Sequence, residues 1–195
     1  AILSHDLRIP LTAIQEGTSL LADGVLGILT SEQADFIKTV HRNGQRLERL
    51  IEKVDLAAIL LDEKISYQAE KVDLLEILKE VESALAPAAE FKGVKLSLTE
   101  KNRTGACMGD ARRLAQALSE LVENALQATP KGGSITGILS EGTNTLQLEL
   151  DDTGTGFSPN DRKVGGSGLG LFLARKILEA HQGQLQIQSK TGRGC

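Results

Sequence analysis

The sequence predicts an all-α helical hairpin followed by an α+β two-layer sandwich. Three observations support this fold class: apolar residues keep a heptad spacing through the first 61 residues, short strand-like and helix-like segments alternate after that, and two glycine clusters interrupt the second half. We place the boundary near residues 62–70 and divide the chain into 1–63, the hairpin, and 64–195, in which helices cover one side of mixed strands.

The first helix is predicted from apolar or small residues whose spacing alternates between four and three. These seam residues are Leu3, Leu7, Pro10, Ile14, Gly17 and Leu21. Pro10 has two interpretations. Inside a helix it removes the hydrogen bond to the carbonyl of Asp6 and bends the axis just after His5, whereas as a first helical residue it leaves residues 1–9 as a fraying end.

The second helix is predicted to begin at Thr30 or Ser31, with Glu32 and Gln33 completing the capping pattern. Its seam consists of Phe36, Val40, Asn43, Leu47, Leu50, Val54, Ala57 and Leu61. Because a two-helix hairpin cannot bury both apolar stripes, we expect a homodimeric four-helix bundle, in which the polar Asn43 sets the register.

The second half alternates between strand-like and helix-like segments. Its predicted strands cover residues 65–72, 94–99, 134–140, 145–151 and 184–189, and its predicted helices cover 73–90, 110–128 and 170–181.

Composition excludes several classes of function. A net charge of −4 and only five aromatic residues argue against a general nucleic-acid binder. The longest apolar run, residues 56–61, is too short to span a bilayer. Two distant cysteines indicate neither a disulfide framework nor a zinc site. The chain begins within a helical pattern, which suggests a fragment of a longer polypeptide, and we expect no membrane contact by this fragment.

The candidate nucleophile lies on the first helix. At about 100° per residue, His5 lies roughly 200° from Leu7, opposite the seam, and is expected to be exposed. A solvated surface histidine is the simpler interpretation. Asp6 favours chemistry instead, because its carboxylate can hold one imidazole nitrogen and raise the nucleophilicity of the other.

The run from Ser4 to Thr12, Ser-His-Asp-Leu-Arg-Ile-Pro-Leu-Thr, resembles the phosphoacceptor box of sensor histidine kinases. The resemblance implies that His5 accepts a phosphoryl group from ATP and that Asp6 orients or deprotonates its ring. Ile9 stands where the family usually has Thr or Asn, which is implicated in dephosphorylating the response regulator. An alkyl side chain cannot hydrogen-bond a water, which argues against the usual phosphatase activity.

Two glycine clusters indicate phosphate binding, at residues 152–156, Asp-Thr-Gly-Thr-Gly, and 165–170, Gly-Gly-Ser-Gly-Leu-Gly. Neither completes a Walker loop or a dinucleotide fingerprint. The second cluster runs into a helix whose free N–H groups suit a phosphate, and Asp152 can accept a hydrogen bond from an amino-bearing base such as adenine. Taken alone, either cluster is equally compatible with an ordinary turn.

The predicted helix at 110–128 carries Glu120 and Asn124, four residues apart on one face. Oxygen ligands on a helix, together with nucleotide phosphates, are a typical magnesium arrangement. The alternative is an ordinary surface pair on an amphipathic helix.

Together these segments resemble the ATP-binding domain shared by histidine kinases, gyrase-type ATPases, MutL-type proteins and related chaperones. The resemblance implies ATP and Mg²⁺ as cofactors. Asn124 matches the magnesium-binding asparagine, with Glu120 beside it as a second candidate ligand, and Asp152 matches the adenine-contacting aspartate. The other candidate cofactor-binding residues are Gly154, Gly156, Gly166, Gly168, Leu169 and Gly170.

The chain departs from that family at three places. Gln127 and Ala128 stand where a basic residue and an aromatic residue are common. Glu120 stands where kinases often have Asn and where a glutamate activates water in gyrase-like relatives. Only nine residues, 157–165, separate Gly156 from Gly166, which is shorter than the usual nucleotide lid.

We therefore expect the cytoplasmic catalytic core of a sensor histidine kinase, whose parent chain can be membrane-anchored. The core would phosphorylate its own His5 and pass the phosphoryl group to an aspartate of a response regulator. Two rivals stay open. One is an ATPase of the same fold in which Glu120 activates water, and the other is a degenerate kinase that serves as a dimeric signalling scaffold.

Overall fold

The computed structural model of the chain describes residues 2–61, 69–102, 105–156, 168–189, 192 and 194–195. The chain divides into two compact units, Ala1–Glu63 and Lys64–Cys195. Each unit has its own elements and its own packing.

The first unit is a hairpin of α1 (Ile2–Ala22) and α2 (Ser31–Leu61). Helix α1 continues through Pro10, so the interpretation in which the helix begins at that proline is wrong. The residues before Pro10 stay helical because they pack on α2, and Ser4 is buried in that contact. Thr30 precedes α2 and forms a reciprocal capping box with Gln33: its hydroxyl accepts from the Gln33 N–H at 3.2 Å, and its N–H donates to Gln33 Oε1 at 3.0 Å.

The predicted apolar seam is largely exposed within the hairpin, as at Ile14 and Val54, which are 49% and 54% exposed. A different stripe joins the two helices. Its buried members are Ser4, Leu11, Thr18, Gly44, Ile51 and Leu56, and Ala57 of the predicted seam is buried as well. The hairpin therefore presents a mostly apolar stripe outward and packs a partly polar one inward.

The second unit contains β1 (Glu70–Val72), α3 (Leu74–Lys92), β2 (Lys95–Glu100), β3 (Cys107–Gly109), α4 (Ala111–Ala128), β4 (Ser134–Gly142), β5 (Thr145–Asp152) and α5 (Leu169–Ala180). Carboxylates cap two of its helices. Asp73 accepts from the Leu75 N–H before α3, and Asp110 accepts from the Arg113 N–H before α4. Gly93 ends α3 in the left-handed conformation, at φ 70°.

The strands form a three-stranded sheet in the order β2-β4-β5 and a separate β1-β3 pair. β2 runs parallel to β4, whereas β4 and β5 are antiparallel, as are β1 and β3. Strands and helices share one core, which contains Ile77, Leu78, Val81, Leu98, Leu114, Leu118, Val122, Ile135 and Leu139. The predicted arrangement of a helical hairpin followed by a mixed α and β unit is confirmed.

The structure corrects one predicted strand and adds another. Residues 184–189 form no strand, although their side chains alternate between exposed and half-buried as predicted. Alternation alone does not make a strand, which needs ladder hydrogen bonds to a neighbour. The short β3 was missed because its three residues carry no alternating pattern. Of the predicted strand at 65–72, residues 65–68 lie outside the described part, and 70–72 form β1.

Candidate functional site

Helix α4 brings Glu120 and Asn124 to the beginning of α5. Glu120 is only 6% exposed and Asn124 is half-buried, so neither is an ordinary surface residue. Gly170, in the first turn of α5, lies against both. A Cβ there would come within 2.5 Å of Glu120 Oε2 and 3.0 Å of Asn124 Nδ2. A larger residue at this position would fit only if the ends of the Glu120 and Asn124 side chains shifted.

The pair fits a divalent cation. Asn124 Nδ2 is buried without a hydrogen-bond partner in the part of the chain that the structure describes. A buried N–H donor without a partner costs about 1–3 kcal/mol. Nδ2 itself cannot coordinate a cation, but it can donate to a phosphate oxygen or to a metal-bound water, and Oδ1 of the same amide is the atom able to bind the ion. A carboxylate and an amide oxygen are ligands that Mg²⁺ accepts, since it completes its coordination with water and phosphate. The described residues contain no group of three metal-ligating His, Cys, Asp or Glu side chains, and such a site does not need one.

Asp152 ends β5 with a half-buried carboxylate. Its Oδ1 accepts from the N–H of Gly154 at 2.7 Å. A Cβ at Gly154 would lie 2.5 Å from that oxygen and 2.9 Å from the carbonyl oxygen of Ala128. Only glycine lets the backbone pass between the carboxylate and the end of α4.

The loop after Asp152 is fastened on several sides. Thr153 Oγ1 accepts from the Ser134 N–H at 2.9 Å. The Thr155 N–H donates to the Ala128 carbonyl at 3.3 Å, and the Thr155 carbonyl accepts from the Gly192 N–H at 2.7 Å. These bonds hold the first glycine cluster between the end of α4 and the last turn of the chain.

The second glycine cluster begins α5. Gly168 has φ +67° and is the N-cap of the helix, without a side-chain capping bond. Leu169 is half-buried and Gly170 is buried. The N–H groups and positive dipole end of this helix suit a phosphate. Gly156, at φ +60°, ends the described part of the first cluster, and the predicted site residue Gly166 lies outside the described residues.

Sequence reasoning missed Lys92, which supports the site from α3. Its Nζ donates to the carbonyls of Leu126 and Gln127, the latter at 3.0 Å. α4 has no basic residue in its own last turn, so Lys92 supplies the positive charge that favours a helix C-terminus. Since Ala128 follows directly, this contact helps to place the backbone that packs on Gly154.

His181 joins the two helices of the site. Its Nδ1 lies 2.7 Å from the Ile177 carbonyl, which can only accept, so the ring proton is on Nδ1. Nε2 therefore accepts, and the Asp110 N–H donates to it at 3.0 Å. A neutral imidazole thus links the end of α5 to the N-cap of α4.

In the hairpin, His5 is exposed on α1, as predicted. Asp6 is exposed as well, and no hydrogen bond joins the two side chains among the described residues, since neighbouring helical residues project about 100° apart. The sequence analysis did not predict a contact next to His5, in which both Ser4 and Arg8 donate hydrogen bonds to Asp55 of α2. A search for heptad spacing of polar residues could have found Asp55, because it continues the series His41 and Glu48.

Comparison with known proteins covers both units. Residues 109–195 match the family described as histidine kinase-, DNA gyrase B-, and HSP90-like ATPase, and residues 1–61 match the His Kinase A (phospho-acceptor) domain. The circadian input-output histidine kinase CikA of Synechococcus elongatus is 31% identical over 214 residues, which cover 100% of this chain and 28% of CikA. The sensor protein DivL of Caulobacter vibrioides is 32% identical over 207 residues, covering 98% and 26%. The chain therefore spans less than a third of either relative.

Solved structures have the same fold. Full-length ShkA in complex with AMPPNP aligns with a TM-score of 0.81 and 26% identity, covering 100% of this chain and 43% of ShkA. The Acinetobacter baumannii histidine kinase AdeS aligns with a TM-score of 0.72 and 21% identity, covering 97% and 93%. In the part of the chain that the structure describes, no helix combines the length and apolar character needed to cross a membrane. The chain belongs to the sensor histidine kinases, as a catalytic core in which a phosphoacceptor-type helical hairpin precedes an ATP-binding α/β domain.

Proposed function

We propose that this chain is an ATP-dependent protein-histidine kinase core that phosphorylates its own His5. One observation carries the proposal: Gly170 at the start of α5 lies against Glu120 and Asn124, and the buried amide nitrogen of Asn124 has no hydrogen-bond partner among the described residues. The same chain exposes His5 on α1. The similar ShkA structure holds AMPPNP, which supports a nucleotide in this fold.

In the proposed transfer, Nε2 of His5 attacks the γ-phosphorus of ATP. The N–P bond forms while the bond from the γ-phosphorus to the bridging oxygen breaks, and ADP leaves. The ring must begin with its proton on Nδ1, because the lone pair of Nε2 is the nucleophile. After transfer the ring is cationic and loses the Nδ1 proton. We assign Asp6 to support that charge and accept the proton.

The nucleotide would be held by the second unit. Asp152 accepts a hydrogen bond from the adenine amino group, and the two glycine clusters bring backbone N–H groups close to the base and the phosphates. The cluster residues assigned to this contact are Gly154, Gly156, Gly166, Gly168, Leu169 and Gly170. Asn124 and Glu120 would hold Mg²⁺, which when bound neutralises charge on the phosphates.

The test is incubation with γ-labelled ATP and magnesium. We expect label in an acid-labile, base-stable form on the wild-type chain and none on His5→Gln or Asn124→Ala. His41→Gln is the matched control and should keep its label, because His41 lies half-buried on α2 with Thr18 3.0 Å from its Nδ1. Label that survives His5→Gln contradicts the proposal.

We further propose a homodimer formed through the hairpin. Its support is the exposed apolar seam, which includes Leu7, Ile14, Leu47 and Val54. Asn43 lies exposed on the same stripe, where a partner helix would contact it. A second copy is the economical way to cover a stripe that the hairpin leaves open.

The phosphoryl group would then pass to an aspartate of a response regulator receiver domain. ThkA, which shares this fold with a TM-score of 0.64 at 21% identity, was solved in complex with the response regulator protein TrrA. We place the core in the cytoplasm, where ATP and such partners meet. The test is transfer of label from the isolated phosphorylated core to a receiver domain, and its loss when the receiver's acceptor aspartate is replaced.

An ATPase is the second candidate, and the burial of Glu120 beside Asn124 favours it. A carboxylate there can act as a general base for water. Phosphate release separates the two: an ATPase keeps its rate in His5→Gln and loses it in Glu120→Gln, whereas the kinase loses labelling in His5→Gln. If the chain were a degenerate kinase that acts as a scaffold, it would form normal dimers but bind no ATP. The short lid at 157–165 that suggested this rival lies outside the described residues.

A further inference from the structure

Asp55 on α2 holds both ends of the helical turn that carries His5. The Ser4 hydroxyl donates to Asp55 Oδ1, and Arg8 Nη2 donates to Asp55 Oδ2 at 3.0 Å. Ser4 and Arg8 are four residues apart and share one face of α1. A single carboxylate therefore fixes residues on either side of His5, while His5 itself stays exposed.

The exposure of the three side chains indicates that their contact orients α1 more than it stabilises the fold. Ser4 is 7% exposed, so its hydroxyl depends on a protein partner. The side chains of Arg8 and Asp55 are 47% and 22% exposed. An ion pair this accessible to water adds little to the free energy of folding. Its main effect is to restrict how α1 lies on α2 at this turn.

Pro10 removes one backbone hydrogen bond from the helical turn that carries His5. It has no N–H, so the Asp6 carbonyl lacks its helical partner directly after His5. The backbone around His5 therefore has one hydrogen bond fewer than an ordinary helix, and the contact from α2 compensates at that place.

Resting on the proposed transfer to His5, we propose that Asp55 is a positioning residue for phosphorylation. It keeps the turn of α1 in the orientation from which His5 Nε2 meets the γ-phosphorus. Without it the nucleophile and the nucleotide site both persist, but the aligned geometry is populated less. Misalignment of about 1 Å can cost two orders of magnitude in rate.

Glu48 provides a matched control. It lies seven residues before Asp55 on the same stripe of α2, and it accepts one hydrogen bond from Gln15 Nε2 at 2.9 Å. It is half-buried, as Asp55 is. Removing either side chain weakens the contact between α1 and α2, yet only Asp55 contacts the turn of His5.

The first measurement is the autophosphorylation rate of Asp55→Ala and Glu48→Ala at varied ATP. For Asp55→Ala we expect kcat to fall about tenfold while the KM for ATP stays within about twofold, since alignment and not nucleotide binding is lost. Glu48→Ala should stay near wild type in both. Asp55→Asn keeps the shape and an acceptor for Ser4 but loses the charge, so its kcat should lie between wild type and Asp55→Ala.

The second measurement does not depend on ATP. Amide hydrogen exchange in a peptide covering residues 5–9 should quicken in Asp55→Ala and stay unchanged in Glu48→Ala. Unchanged exchange, an equal loss of kcat in both alanine variants, or a change confined to KM would each overturn the role of Asp55. A wild-type chain that takes no label while exchange still quickens in Asp55→Ala would instead contradict the kinase proposal.

Discussion

The two units differ in how much of their apolar surface they bury. Eleven of the fourteen large apolar side chains exposed in the described part of the chain belong to the hairpin and its loop. By contrast, eighteen of the twenty-two buried apolar residues there, alanines included, belong to the second unit. The second unit thus closes a core of its own. The hairpin has few buried residues, and it leaves its outward apolar stripe exposed.

Glycine is also used differently in the two units. Among the described residues, no atom lies within 4 Å of a Cβ placed on Gly17 of α1. In the second unit, Gly154 and Gly170 each occupy a place where a Cβ would come within 2.5 Å of a carboxylate oxygen of the candidate site. The position of Gly17 is thus open to a larger residue, whereas the space around Gly154 and Gly170 at the candidate site is filled by neighbouring atoms.

The largest expected effect is at Gly170. Gly170→Ala places a methyl group 2.5 Å from Glu120 Oε2, so either the pair or the start of α5 must move. We expect nucleotide binding, measured by calorimetry, to weaken by at least about a hundredfold, roughly 2.7 kcal/mol. Gly17→Ala serves as the control. Binding that stays at wild-type strength in Gly170→Ala would remove the contrast between the two units.

A core substitution in the second unit tests whether that unit is self-contained. Leu78 is 1% exposed on α3, and Leu78→Ala should lower the free energy of unfolding of this unit by about 2–5 kcal/mol, through lost burial and a cavity. Chemical denaturation monitored at several protein concentrations is the measurement. A midpoint that shifts with concentration would show that the second unit also depends on a partner.

A charge on the outward stripe of the hairpin tests whether the hairpin, unlike the second unit, depends on a partner. Leu47 is 48% exposed, and Leu47→Asp should weaken dimerisation by about tenfold or more, because a carboxylate would be buried against apolar side chains. Arg49→Asp, on an exposed position of the same turn but off the stripe, should change it little. Sedimentation measures both. Equal dimer formation in all three chains would show that this stripe is not the interface.

The smallest expected effect is a gain. Gly17→Ala adds a methyl group in open space at a helical position, so it should stabilise the hairpin by about 0.5–1 kcal/mol through helix propensity. The change in thermal midpoint measures it. A loss of stability would mean that a neighbouring helix, such as one from a second copy, approaches α1 at this glycine.

Much of the fold was readable because it rests on local patterns. Asp73 and Asp110 stand at the beginnings of predicted helices and cap α3 and α4. The exposure of His5 followed from helical geometry alone. The strand predicted at 184–189 is wrong and β3 was missed, because pairing depends on a neighbouring strand that no local pattern specifies.

The amino-acid sequence by itself determined the helical periods, the caps and the residue types of the glycine clusters, since these depend on neighbours within a few positions. The tertiary structure alone decided which side chains meet. It places Gly170 against Glu120 and Asn124. It also places Asp55 where Ser4 and Arg8, on either side of His5, both donate hydrogen bonds to it. Such contacts join residues some fifty positions apart, and their geometry depends on how the helices pack.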